Sequence, residues 1–187
     1  YVRKDIAKEA AKLLGNNAYG KVFTSATMTT GNGDYNYFFH NLGLQYINNI
    51  SITKEYPQES PYDYQNNALL YLTKDVISPK SLDHDLYLET LTTKIEELIN
   101  ITKGRSLVLF TSKVDMKKVY DRISKMPHDF SIMLQTDDGN ADDLKTKFKE
   151  DTSSVLFATG SFFEGIDIKG ESLENVIITK LPFPVVN

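Results

Sequence analysis

Two stretches of this sequence carry residue types whose spacing could handle a phosphate group. The first is GNNAYGKV at 15–22, where Gly15, Gly20 and Lys21 have the spacing of a Walker A loop. Such a loop cradles a nucleotide with its backbone N–H groups and its lysine, and its final Ser or Thr holds the magnesium ion. Val22 stands at that final position and has no hydroxyl. The order of elements is also inverted. A Walker A loop leaves a strand and opens a helix, whereas here Val2, Ile6, Ala10 and Leu13 or Leu14 share a helical face before the loop, and the β-branched run KVFTSAT follows it. Gly15 is therefore expected just past a helix C-terminus, in the left-handed conformation that suits glycine.

The second stretch is ATGSFFEGIDIKG at 158–170, a strand followed by Gly160, Ser161, two aromatics, Glu164, Gly165, Asp167 and Gly170. In parallel α/β sheets chemistry collects at the carboxyl ends of strands. Two further hydroxyl-rich strand ends accompany this one, Thr24-Ser25-Ala26-Thr27 and Thr111-Ser112. Each has a plainer reading beside the functional one. Ser112 with Asp115 three residues on forms a capping box. Thr24, Ser25 and Thr27 can be strand residues entering a turn. Asp167 suits an Asx interaction before Gly170. Phe162 and Phe163 read as cover for the end of the preceding strand.

The elements that must hold these residues alternate along the chain. Strands are expected at 22–27, 68–73, 106–112, 131–135, 154–160 and 175–181, and helices at 34–43, 86–101, 113–124 and 141–150. Four of the strands are apolar nearly throughout, as strands covered on both faces should be. In the second helix Leu88, Leu91, Ile95, Leu98 and Ile99 form a stripe at helical spacing, which reads as core. Residues 45–67 are polar, Tyr-rich and Pro-punctuated, and read as a long excursion. The pattern is that of one α/β domain over 1–187 with a mostly parallel sheet flanked by helices.

Composition narrows the function classes. The 187 residues are 41 % hydrophobic with a formal charge of −4, which argues against a strongly basic nucleic-acid-coating surface and leaves local contacts through loops and helix N-termini. Without cysteine there are no disulfides, thiolate zinc sites or iron–sulfur ligands, and a cytoplasmic location is expected. His40, His84 and His128 are too scattered for a metal site. No apolar run approaches the roughly 18 to 20 residues of a membrane span. The chain opens on Tyr1, carries no signal or transit pattern, and is expected to be part of a longer polypeptide.

The order and spacing of TSAT at 24–27, LVLFTS at 107–112, SVLFATGSFFEGIDIKG at 154–170 and LPFPVVN at 181–187 resemble the second motor domain of superfamily-two helicases, specifically the DinG branch of the XPD-like group. The resemblance covers nearly the whole chain. It implies a RecA-like domain, incomplete at its C-terminal end, that works with a first motor domain in the same polypeptide. Thr24, Ser25 and Thr27 would couple ATP state to nucleic-acid grip. Thr111, Ser112, Thr159 and Ser161 would contact the phosphate backbone of single-stranded DNA, a kind of contact that carries little sequence information. Glu164, Gly165 and Asp167 would face the cleft between the two motor domains. There Gly165 allows close approach, and Asp167 can accept from a ribose hydroxyl or orient a partner arginine.

The departures limit what the chain does alone. Phosphoryl transfer needs a phosphate loop, magnesium-holding carboxylates and a cleft arginine. Arg3, Arg105 and Arg122 are the only arginines, and none lies in the Q-x-x-G-R-x-x-R pattern that ends the family's second domain. ATP and Mg2+ would thus be bound mainly by the first motor domain, and the chain by itself is expected not to hydrolyse ATP. In one branch of the family an exonuclease precedes the helicase-like part, so the alternative is a DNA-binding or regulatory module of a 3'-5' exonuclease. A free-standing flavodoxin-like nucleotide domain is a third reading, and it lacks a glycine-rich phosphate turn.

Overall fold

The computed structural model describes residues 6–16, 19–25, 27–30, 33–48, 51, 62–136, 139–163, 166–168 and 170–183. The chain divides into two compact units, Tyr1–Leu70 and Tyr71–Asn187.

The first unit is helical. Its helices are α1 (Ile6–Gly15), α2 (Asn36–Asn41) and α3 (Tyr64–Asn67), with a 3-10 turn at Leu44–Tyr46. Gly43 has φ 68° and lies against the carbonyl of Ala7, where a Cβ would collide. That close approach buries Ala11 of α1. The buried face thus runs through Ala11, while Ile6 and Leu13 are exposed, unlike the face expected from sequence; Val2 lies outside the described residues. Gly15 is the last residue of α1 and is not among the left-handed glycines, so the expected C-terminal glycine cap is absent.

Among the described residues, two expected strands do not form. Residues 22–25 and 27 lie in an exposed loop, Ala26 being outside the described residues, and Ser25 Oγ accepts from the Thr27 N–H at 3.1 Å. Phe23 instead packs edge-on against Phe38, ring centroids 5.5 Å apart. Residues 68–73 likewise form no strand, with Leu69 at 90 % and Leu70 at 83 % exposure. β propensity is a preference for a pleated, half-buried surface, and without a neighbouring ladder it yields no strand. Of the excursion at 45–67, residues 49–50 and 52–61 lie outside the described residues.

The second unit is an α/β layer structure. Four parallel strands, β1 (Ser106–Phe110), β2 (Ile132–Leu134), β3 (Val155–Thr159) and β4 (Asn175–Ile178), lie in the order β2-β3-β1-β4. The central pair β1 and β3 is buried at every residue, as continuous apolar runs require. The edge strand β4 alternates between half-buried and exposed.

Alternate side chains of the central strands feed two cores. On one face Val108, Phe110, Val155 and Phe157 pack under α4 (His84–Ile101) and α5 (Lys113–Ile123), meeting Leu88, Leu91, Ile95, Ile99, Val119 and Ile123. This is the stripe read from the sequence, except that Leu98 is only half-buried. On the other face Leu107, Leu109, Leu156 and Ala158 meet Phe148 of α6 (Ala141–Glu150) and Phe162 of a 3-10 turn at Gly160–Phe162. Fully burying one such side chain contributes about 1.5–3 kcal/mol. Phe162 is therefore core, and Phe163 packs against the same cluster, as the plainer reading expected.

At the amino edge of the sheet, α4 passes into β1 through Lys103, Gly104 and Arg105, which have φ of 51°, 82° and 46°. A Cβ on Gly104 would run into the carbonyl of Ser153. Arg105 closes this edge with a 2.7 Å ion pair to Glu174, and the Ser106 hydroxyl donates to the Gly104 carbonyl at 2.6 Å.

Candidate nucleic-acid and nucleotide edge

The carboxyl edge of the second unit's sheet gathers residues from all four strands. Phe110 and Thr159 are in-register neighbours at the ends of β1 and β3. Thr111 and Ser112 therefore leave the sheet beside Gly160 and Ser161. Of the residues expected to contact a phosphate backbone, these segments bring all four, Thr111, Ser112, Thr159 and Ser161, to adjacent strand ends.

Their local roles differ. Ser112 is the N-cap of α5, and its Oγ accepts from the Asp115 N–H at 3.2 Å. The Asp115 carboxylate turns to His84 Nε2 at 2.9 Å, tying the first turn of α5 to the first turn of α4. Thr111 and Ser161 are exposed. Thr159 is only 6 % exposed, and its N–H and hydroxyl both face Gln135 Oε1, at 2.7 and 3.4 Å. Gln135 was not singled out from the sequence; the available signal was a polar side chain closing the apolar run SIMLQ. Thr179 was not singled out either. It follows β4 and spends its hydroxyl on the Leu109 carbonyl at 3.0 Å.

The third hydroxyl-rich segment belongs to the first unit, where Thr24, Ser25 and Thr27 are all exposed. Glu164 and Gly165 lie outside the described residues, as do residues 184–187 of LPFPVVN. Asp167 is exposed on the loop before β4. Its neighbours Ile166 and Ile168 pack against the Leu107–Phe148 core, so the alternation turns Asp167 outward.

The charges near this edge are mixed. α5 opens with Lys113 and Asp115, while α6 carries Asp142 and Asp143 in its first turn under the Asn140 cap. Under the α4–α5 face, burial raises the Tyr87 hydroxyl above its ordinary pKa, and the charge of Asp115 adds to the shift. Lys94 on α4 is raised further, chiefly by its hydrogen bond to Glu97 at 2.6 Å and next by Asp75 at 3.0 Å. An open cleft of about 540 Å3 lies between α4 and α5, lined by Asp83, Asp85, Glu89 and Arg122 with their neighbours. None of the site residues expected from the sequence lines it. Among the described residues no group of His, Cys, Asp or Glu could hold a metal ion, and no helix is long and apolar enough to cross a membrane.

Comparison with known proteins fits this architecture. Residues 95–187 match the helicase C-terminal domain family. The chain is 34 % identical over 180 residues to the ATP-dependent DNA helicase DinG of Photobacterium profundum, covering 93 % of this chain and 25 % of that protein. It is 36 % identical over 165 residues to the ATP-dependent DNA helicase YoaA of Haemophilus influenzae, covering 87 % and 23 % respectively. The 3'-5' exonuclease DinG of Staphylococcus saprophyticus is 26 % identical over 163 residues, covering 86 % and 18 %. The chain thus spans about a quarter or less of the length of these relatives. No solved structure matches it significantly. Residues 95–187 thus match a helicase C-terminal domain, and the chain is similar over most of its length to DinG-type helicases.

Proposed function

We propose that this chain supplies the second motor domain of a DinG-type, ATP-dependent DNA helicase or translocase. On this reading 1–187 acts as one incomplete RecA-like domain alongside a first motor domain in the same polypeptide, in the cytoplasm. The observation that carries it is the in-register pair Phe110 and Thr159, which joins two hydroxyl-bearing strand ends into one edge. Thr111, Ser112 and Ser161 hold single-stranded DNA by its phosphates, with Thr159 beneath them. Donors of this kind fix a strand without reading its bases.

Glu164, Gly165 and Asp167 complete an ATP cleft whose phosphate loop and Mg2+ site belong to the first motor domain. ATP closes the two domains and hydrolysis releases them, with Thr24, Ser25 and Thr27 linking closure to the grip. The chain alone does not turn over ATP.

The test is ATP hydrolysis by the whole polypeptide with and without single-stranded DNA. Strong stimulation by the strand supports the motor. Absence of hydrolysis from a folded, DNA-binding protein overturns it. That result would favour the second reading, a DNA-binding platform for a 3'-5' exonuclease, which draws support from the relatives named as exonucleases.

A further inference from the structure

Strand β2 ends at Leu134, opposite Phe157, two residues before its neighbour β3 ends at Thr159. Gln135 continues the ladder for one bond, its N–H donating to the Phe157 carbonyl at 2.9 Å. Its side chain then takes the place of the strand that has run out. Oε1 lies 2.7 Å from the Thr159 nitrogen and 3.4 Å from the Thr159 hydroxyl.

The identity of that amide atom is fixed by chemistry. A backbone N–H can only donate, so the atom facing it is the carbonyl oxygen, and the amide NH2 points the other way. No described residue accepts from that NH2, and Gln135 is half-buried at the carboxyl edge. Thr159, by contrast, is held inside with both its donors on Gln135. The group that faces outward at this strand end is therefore the amide and not the threonine hydroxyl.

We propose that Gln135 is a strand-gripping residue of this edge: its carbonyl locks the end of β3, and its NH2 donates to a phosphate oxygen of single-stranded DNA passing over Ser161 and Thr111. The assignment rests on the proposed function. It places a third strand end, β2, in the grip beside β1 and β3. Gln135 also positions Ser161, two residues beyond the Thr159 it anchors.

Gln135→Glu separates the two roles. A carboxylate keeps an oxygen for the Thr159 N–H, but it has no donor for a phosphate and repels one. The probe is a labelled oligodeoxythymidine, titrated by fluorescence anisotropy against the whole polypeptide, with Ser161→Ala as reference and the thermal midpoint followed in parallel. The expected result for Gln135→Glu is an affinity roughly tenfold or more weaker, the scale of one hydrogen bond to a charged group, with an unchanged thermal midpoint. Gln135→Ala should lose both affinity and thermal stability. Wild-type affinity in Gln135→Glu, with Ser161→Ala weakened, overturns the role of Gln135 and leaves the proposed function standing. Failure of the unsubstituted protein to bind the oligonucleotide removes the proposed function, and this inference with it.

Discussion

His84 Nε2 lies 2.9 Å from the Asp115 carboxylate, joining the first turn of α4 to the first turn of α5. The pair diverts Asp115 from the reciprocal half of a capping box. Only the Ser112 side chain is seen to cap α5. The contact is partly exposed, and such surface pairs contribute roughly 1 kcal/mol or less. An N-cap hydroxyl contributes typically about 1 kcal/mol, at most about 2. Ser112→Ala should therefore destabilise the protein at least as much as His84→Ala in denaturant titrations. The reverse order would mean that the histidine, and not the cap, secures the start of α5.

Asp167 separates the nucleotide role from the DNA role. In the whole polypeptide Asp167→Ala should reduce DNA-stimulated ATP hydrolysis more than oligonucleotide binding. The residue is exposed between two packed isoleucines, so its removal costs little core. Equal loss of hydrolysis and binding, together with a lower thermal midpoint, would show that it holds the fold.

Gly104 sits where the backbone is left-handed and where a Cβ would meet the Ser153 carbonyl. Both penalties fall on one substitution, since conformational strain alone costs about 1 kcal/mol and the collision adds to it. Gly104→Ala is expected to lower stability by about 2 kcal/mol or more, read from the denaturation midpoint at constant slope. A change within about 0.5 kcal/mol, the range of ordinary surface substitutions, would contradict the turn as described.

Alkali should lower the stability of this protein in part through Tyr87. Burial raises its folded-state pKa above the ordinary value, so the folded state keeps its proton longer than the unfolded chain does. Stability is then full below the unfolded value, about pH 10, and falls as the pH climbs above it. Lys94 has the same sign, its folded pKa being raised by Glu97 and Asp75, so the stability from its pairing is also lost only at high pH. Tyr87→Phe should flatten the decline measured by denaturant midpoints from about pH 8 to 11. An identical decline in the variant would assign it to other groups.

The second unit was legible in the sequence because its signals are redundant. SLVLF and VLFAT are short apolar runs flanked by amphipathic helices, and the stripe from Leu88 to Ile99 repeats at helical spacing over about three turns. Each local pattern agrees with its neighbours. Two runs, at 22–27 and 68–73, were misread for the converse reason, while the helices expected before Gly15 and at 34–43 do form. VFTSAT and ALLYLT carry β-branched or apolar residues, yet pairing is a long-range event that propensity does not encode, and among the described residues neither run finds a ladder. The site was legible as strand ends, since hydroxyls after apolar runs can be seen without coordinates. Gln135 was not, because its meaning depends on β2 stopping two residues short beside β3.

The central pair of strands has a consequence in time. The amides of Val108 and Phe157 lie in the fully buried strands β1 and β3, between two cores, and should be among the last to exchange with deuterated solvent, through global unfolding. Residues 166–168 and 170–174 belong to no helix or strand and should exchange through local openings. Thr111 and Ser112 thus ride directly on the longest-lived backbone in the second unit, whereas Asp167 rides on a shorter-lived loop. The two halves of the edge keep different clocks: one holds its shape for as long as the protein is folded, and the other can rearrange many times within that life.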